Sequence, residues 1–343
     1  MYKAEIIKHS ITEFNHELVT FIVTYPRIIH AEMCRHRAFS RNTSSSRAIP
    51  FSKTESDLKD NCFVPIAWQK KHSGMQGDYY FKGIEAETFE REWLNIKNNV
   101  ITDAMRLHAK ELTKQLTNRL VEPFTWTTEI ITTSLPGLLN FFELRCPKYK
   151  YYLVDREGNP IEQIARSKGE YFRRTNTSDE GQFETLDWLS IDESPAEIHI
   201  QQIAELMYEE FCLSKPEKLL SGEWHIPFGD NISDNEVWFL INPEDEFERT
   251  DDARIKISTA RCARLSYQTL GDEPKIDYEA DLKLFYKLLT EKHMSPFEHC
   301  ARAMSKEEVD YYTRNGSEKG WCNNFQGFVQ YRFIIENEGK IQD

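Results

Sequence analysis

The run Arg35-His36-Arg37-Ala38-Phe39-Ser40-Arg41-Asn42-Thr43-Ser44-Ser45-Ser46-Arg47 places four arginines, one histidine and four serines within thirteen residues. Arginine presents planar, bidentate donors that match phosphate, and serine hydroxyls with loop N–H groups can complete an anion cradle. The same composition also suits a solvated basic loop, whose surface charges stabilise little. The chain as a whole carries a formal charge of −13. That repels long polyphosphates and argues against sequence-independent binding of nucleic acid. A phosphate site must therefore be local, and two or three arginines in a pocket suffice for a small anion.

Several elements must position this run. Residues 18–25 (LVTFIVTY) are β-branched and aromatic and predict a strand that Pro26 ends. Residues 27–37 carry Ile28, Ile29, Ala31 and Met33 at mixed helical spacing, a helix leading into Arg35-His36-Arg37. Residues 40–46 are almost wholly polar and predict a loop, followed by an irregular connection to about Gly83. Residues 85–120 lack Pro and Gly and predict one long amphipathic helix. Residues 125–133 (TWTTEIITT) suit a strand or a helix, and 135–145 (LPGLLNFFELR) read as helical once past Gly137. Residues 148–190 look like an inserted hairpin and arm around the turn Glu157-Gly158-Asn159-Pro160. A helix follows at 195–211 with Ser194 as its cap, then a Pro- and acid-rich linker to about Asp252. A helix at 278–292 and an aromatic strand at 325–335 complete the chain.

The pattern RHRxxSxNxxSxR is similar to the signature of flavin-dependent thymidylate synthases, as is the strand-Pro-helix segment (FIVTYPRIIHAEMC) before it. A second block, Arg119-Leu120-Val121-Glu122-Pro123 with Leu138-Leu139-Asn140-Phe141-Phe142-Glu143-Leu144-Arg145, resembles the family's nucleotide and flavin block. Ala196-Glu197-Ile198 resembles the start of its closing helix, after an insert of about forty residues. A third block, His293-Met294-Ser295-Pro296-Phe297-Glu298-His299, resembles the family's flavin-contact segment, and residues 260–267 (ARCARLSY) its N-terminal strand. In the family these last two precede the arginine motif. Here they follow it, as in a circular permutation, which adjacent termini make tolerable.

The resemblance implies an α+β fold with a mostly antiparallel sheet and packed helices, and strands and helices that do not alternate as βαβ units agree. It implies a catalytic core at 1–146 and 191–215, an insertion at 147–190, and a permuted-looking flavin-contact segment at 253–343. It also implies reductive methylation of dUMP to dTMP with FAD, with methylenetetrahydrofolate and NADPH as co-substrates, in a homotetramer. Carried over residue by residue, Arg35, His36, Arg37, Asn140, His293, Ser295 and Glu298 would meet the flavin. Glu32, Ser45, Arg47, Arg119 and Arg145 would hold the nucleotide, with Arg47 and Arg119 on its phosphate. Arg145 would sit by the pyrimidine carbonyls and stabilise developing negative charge. Thr43 stands where the family usually has Glu, Ala48 where it usually has Tyr, and Pro136-Gly137 where many relatives place another flavin-binding arginine. Rival expectations on the same residues are folate-dependent hydroxymethylation of dUMP or dCMP, and a non-catalytic nucleotide- or RNA-binding relative.

Other chemistries find less support. Glu298-His299 is not HExxH, the histidines lack paired ligand spacing, and no metal is expected. No GxGxxG or P-loop occurs. Cys34 beside Arg35 suits either a reactive thiol or a buried helix cysteine. Seven cysteines without a CxxC pair, and no apolar leader, suggest a reducing cytoplasm. No run of 18 apolar residues suggests a membrane span.

Overall fold

A computed structural model describes residues 1–73, 77, 79–177, 183–233, 236–237, 250–265 and 277–337. It is an α+β protein built on a five-stranded sheet. Strands β1 (Lys3–Thr12), β2 (Glu17–Pro26), β3 (Ser40–Thr43) and β4 (Trp126–Ser134) lie in the order β3-β4-β2-β1, all antiparallel. A short strand, Glu217–Leu219, pairs parallel to the outer edge of β1.

The period-two pattern of β2 separates the two faces. Val19, Phe21, Val23 and Tyr25 point to one side with Ile131 of β4. They meet Leu138, Phe141 and Phe142 of one helix (Leu135–Arg145) and Ile200, Ile203, Ala204 and Met207 of another (Ile198–Leu213). Leu18 and Ile22 point to the other side, where C-terminal residues cover them: Ala301, Ala303, Phe325 and Phe328 on Leu18, Cys262 and Leu265 near Ile22. The carboxy-terminal segment thus forms the second wall of the sheet that carries the arginine motif.

Several elements differ from their sequence reading, each for a local reason. The polar run after Phe39 is an edge strand at Ser40–Thr43, because its backbone completes the ladder of β4. The long helix is two: Ile84–His108, then Lys114–Val121. Glu111 has a left-handed φ of 64°, and Thr113 caps the second helix by accepting from Gln115 N. The helix Leu135–Arg145 begins before Gly137, with Pro136 in the first turn where its missing N–H costs nothing. Glu197, not Ser194, caps Ile198–Leu213, accepting from His199 N and Ile200 N. The segment expected to be a strand at 260–267 is helical as far as Arg264, within Thr250–Arg264, because Ala253, Ile257, Ala260 and Ala263 share one buried helical face. Ser266 and Tyr267 lie outside the described residues, as does most of the linker at 234–249. At 325–335, two short strands (Phe325–Gln326 and Phe328–Gln330) run into a helix, Tyr331–Asn337.

Residues 149–192 form a hairpin (Tyr149–Val154 with Pro160–Ala165), whose turn uses Gly158 at φ 89°, and two helices. They enclose their own cluster around Tyr149, Tyr151, Ala165 and Trp188.

Gly137 sits where the Leu135–Arg145 helix meets the arginine motif. A Cβ there would lie 2.5 Å from Thr133 Oγ1 and 2.8 Å from Ala38 Cβ. Gly137→Ala is therefore expected to destabilise the fold by about 1–3 kcal/mol, read as a lowered urea midpoint with unchanged m-value. A neutral result would mean that the turn around Ala38 yields freely.

Candidate functional site

The short helix His30–Met33 ends in the turn that carries Arg35, His36 and Arg37. Arg41 closes this turn from the adjoining strand, donating to Met33 O at 2.6 Å and Cys34 O at 3.2 Å. Thr133 Oγ1 and Asn324 Nδ2 both donate to Ala38 O. Held from three elements, the turn buries His36 and exposes Arg35 and Arg37.

The His36 ring packs edge-on against Phe141 and beside Phe39. Its Nε2 accepts from Arg145 Nε at 3.1 Å. Burial, reinforced by the charges of Arg145 and Arg41, lowers its pKa to about 4. The imidazole is therefore neutral near pH 7, and its lone pair orients Arg145 without repelling it. On its far side, Arg145 Nη1 stands 4.0 Å from Glu32 Oε2. Burial and then Glu197 raise the Glu32 carboxyl, while Arg145 and Arg35 oppose that shift. Glu32, Arg145 and His36 thus form a row along one end of the sheet.

The next residues are held as firmly. Thr43 Oγ1 donates to Glu129 Oε1 at 2.6 Å, and Tyr25 Oη to Glu129 Oε2 at 2.7 Å. Glu129 lies directly across the ladder from Thr43 and has no exposed surface. A buried carboxylate therefore stands beside the position where the arginine motif has Thr43. Sequence reading missed Glu129; its signal was a lone charge in an otherwise uncharged strand. Further along, Asn118 Nδ2 donates to Ser46 O and Ile49 O, Ser46 Oγ donates to Glu122 Oε1, and Lys114 Nζ reaches Ala48 O. Ser45 is half-buried on this clamped loop, and Arg47 and Arg119 are exposed. Among the described residues, the side chains of Arg35, Arg37, Arg47 and Arg119 make no hydrogen bond or salt bridge. In a chain with 56 acidic residues against 43 basic ones, four unpaired guanidinium groups near one motif leave positive charge free for an anion.

The third block meets the first through tertiary structure. The 3-10 turn Ser295–Glu298 lies against the strand Ser40–Thr43, and Ser295 Oγ donates to Asn42 Oδ1 at 2.7 Å. Asn42 Nδ2 is buried and has no partner among the described residues. Glu298 instead pairs with Arg332 at 2.6 Å, and His293 and Asn140 are exposed. Two further residues unanticipated from sequence, Asn324 and Gln330, both donate to Ser40 Oγ at 3.0 Å. Beside them a cavity of about 340 Å³ is lined by Arg37, Ala38, Thr313, Arg314, Trp321, Asn323 and Asn324. The Arg314 guanidinium stacks over Trp321, 4.7 Å from its centroid. Cys34 is exposed, so the buried alternative does not hold.

No family model and no curated protein matches the chain. Two solved structures are similar in part, both of the UMP/dUMP methylase PolB from Streptomyces cacaoi. The one bound with 5-Br dUMP aligns at 12% identity and a TM-score of 0.41 over 62% of this chain and 90% of that one. The one bound with 5-Br UMP aligns at 15% identity and a TM-score of 0.34 over 43% and 77%. No helix among the described residues is long and apolar enough to cross a membrane.

Proposed function

We propose that this chain methylates a pyrimidine deoxynucleotide, converting dUMP to dTMP with a bound FAD, methylenetetrahydrofolate as carbon donor and NADPH as reductant. The observation that carries this reading is the row Glu32–Arg145–His36 next to four unpaired arginines. A phosphate needs guanidinium groups with free donors, and Arg47 and Arg119 offer them. A pyrimidine whose C5 attacks an electrophile accumulates negative charge on its carbonyl oxygens. Arg145, its Nε tied to a neutral imidazole, presents its remaining donors as a pre-oriented cation for that charge. Glu32 faces the other edge of the guanidinium at 4.0 Å and is placed to accept from a ring N–H.

The residues present fit a flavin. Arg37, Arg314, Trp321, Asn323 and Asn324 surround a cavity suited to a planar anionic group. FAD, when bound, would supply the hydride that the methylene group needs to become methyl. The chain's own residues bind and orient, and the buried Phe39–Phe141 pair backs the His36 ring that orients Arg145. Leu139 and Leu144, both about half exposed beside Asn140, suit contact with a second copy, in keeping with a homo-oligomer.

The test is product analysis by mass spectrometry after incubating purified protein with dUMP, FAD, methylenetetrahydrofolate and NADPH. Formation of dTMP that stops when FAD is withheld is expected. Binding of dUMP without any C5 product under these conditions would reduce the reading to a nucleotide-binding protein, and a hydroxymethylated product would change the reaction assigned.

A further inference from the structure

The thiol of Cys34, which the proposed methylation leaves unused, ends a hydrogen-bonded series that starts on a buried carboxylate. Glu129 accepts at both oxygens, from Thr43 Oγ1 at 2.6 Å and from Tyr25 Oη at 2.7 Å. Tyr25 Oη meets His30 Nδ1 at 2.9 Å, and His30 Nε2 meets Cys34 Sγ at 3.6 Å. His30 and Cys34 are one helical turn apart, joined by the bond from Cys34 N to His30 O, so their side chains share a face. Glu32, of the row with Arg145, lies midway between them in sequence and points to the other face. None of these four residues is assigned to nucleotide or flavin.

The direction of the series follows from counting protons. Tyr25 has one hydroxyl proton and gives it to Glu129, so Tyr25 Oη is left to accept from His30 Nδ1. A neutral imidazole carries a single N–H, and His30 is neutral near pH 7, because burial and then the charges of Arg27 and Arg41 lower it to about 4. Its Nε2 therefore turns a lone pair towards the Cys34 thiol. Tyr25 and Glu129 have no exposed surface and His30 is half-buried, whereas Cys34 is exposed. A nucleophile, a base in reach of it and buried groups that fix the tautomer of that base together activate a thiol for attack. The other exposed cysteine, Cys212, has no such arrangement: it lies beside Tyr208, and burial, then the charges of Glu209 and Glu170, raise it.

Charge selects the reagent. The guanidinium charges of Arg27 and Arg41 act on His30, and the residue that follows Cys34 is Arg35, exposed and unpaired. The field around the sulfur is positive and draws in anions. We propose that Cys34 is a modification site that forms a mixed disulfide with a low-molecular-weight disulfide carrying carboxylates. Cys34 Sγ attacks one sulfur of that disulfide while its proton passes to His30 Nε2. The S–S bond breaks, its electron pair leaves on the outgoing sulfur, and that sulfur takes the proton from His30 and departs as a free thiol. Cys34 is oxidised and the outgoing sulfur is reduced, so no further reactant is needed. The adduct stands on the turn that presents Arg35 and Arg37, and its carboxylates compete there with any other anion.

The test incubates the full chain at pH 7 with oxidised glutathione, or with cystamine as its cationic match, and follows each cysteine over time by peptide mass analysis. With oxidised glutathione, Cys34 is expected to react about ten-fold faster than Cys212. Cystamine should be the slower reagent at Cys34 by about three-fold and the faster one at Cys212, which has acidic neighbours. His30→Gln removes the base and should slow Cys34 about ten-fold or more while Cys212 keeps its rate. Tyr25→Phe keeps the ring but frees the imidazole tautomer, and should slow Cys34 about five-fold. Thermal melts establish that each variant is folded. Cys34 reacting no faster than Cys212 in the unaltered chain overturns the inference without any variant, and so does a folded His30→Gln protein whose Cys34 keeps its rate. Equal rates for the two reagents at Cys34 would remove the preference for an anion. None of these readouts depends on turnover, so they stand apart from the methylation reading.

Discussion

Arg145→Gln is expected to lower kcat for dTMP formation by about 10²–10³-fold, while the Kd for dUMP rises by no more than about ten-fold. The asymmetry follows from geometry. On the proposed reading, the Arg145 guanidinium would do its main work when charge builds on the pyrimidine carbonyls, whereas Arg47 and Arg119 would hold the phosphate. Arg145→Lys should recover little, because an ammonium cannot donate along the direction of Nε to His36 and also face Glu32. His36→Phe tests positioning separately. It keeps a ring between Phe39 and Phe141 but removes the acceptor, so kcat should fall about ten-fold with dUMP affinity retained. Steady-state product assays paired with dUMP titrations separate the two effects, and thermal melts confirm that each variant is folded. A folded Arg145→Gln protein that turns over at the unaltered rate would remove Arg145 from the chemistry.

Much of this arrangement was readable from residue order, and the parts that were not share a cause. The strand before Pro26 shows alternation because one face meets the helices Leu135–Arg145 and Ile198–Leu213 and the other meets the carboxy-terminal wall. The arginine motif stands out by composition alone. Glu129 did not, because its meaning depends on Thr43, 86 residues away, which lies across the ladder from it. The Ser295–Asn42 bond spans 253 residues, and only the fold reveals that the third block touches the first at that point. Single-residue events decided the element boundaries: the positive φ of Glu111 split the long helix, and the reach of Glu197 moved a cap from Ser194. Side-chain periodicity carries no record of either. The helix at Thr250–Arg264 was misread for a related reason, since a short run such as ARCAR fits either period until its neighbours are known.

The buried histidines that the fold collects make a second large effect predictable, a loss of stability in mild acid. Ser10 Oγ, His225, Thr20 Oγ1, Thr132 Oγ1 and His299 form one hydrogen-bonded row through the sheet, with links of 2.8–2.9 Å. Among the described residues no carboxylate takes part, and His299 Nε2 ends the row with no partner. A proton added to either ring would be a buried charge without a counter-ion. Burial accordingly lowers His299 to about 3 and His225 well below its ordinary value, while His36 and His30 fall to about 4. Above pH 6.5 neither state holds these protons and stability does not depend on them. As pH falls from 6.5 towards 4, the unfolded chain takes them up and the folded chain does not. The fully buried His225 and His299 then each subtract about 1.4 kcal/mol per pH unit, and the less buried His36 and His30 subtract less. The raised carboxyls of Glu129 and Glu205 work in the opposite direction, because the folded state holds their protons more tightly, and they soften the loss near the low end. Against a total stability of roughly 5–15 kcal/mol, several such histidines remove a large part of it by about pH 5. Urea midpoints measured from pH 7.5 to 5 should fall steadily. His299→Gln, whose amide can still meet Thr132, should reduce that slope by about one proton's worth, 1.4 kcal/mol per pH unit. A slope identical in the variant would mean that His299 is protonated in the folded protein, and that the row finds a counter-charge outside Ser10, Thr20, Thr132 and His225.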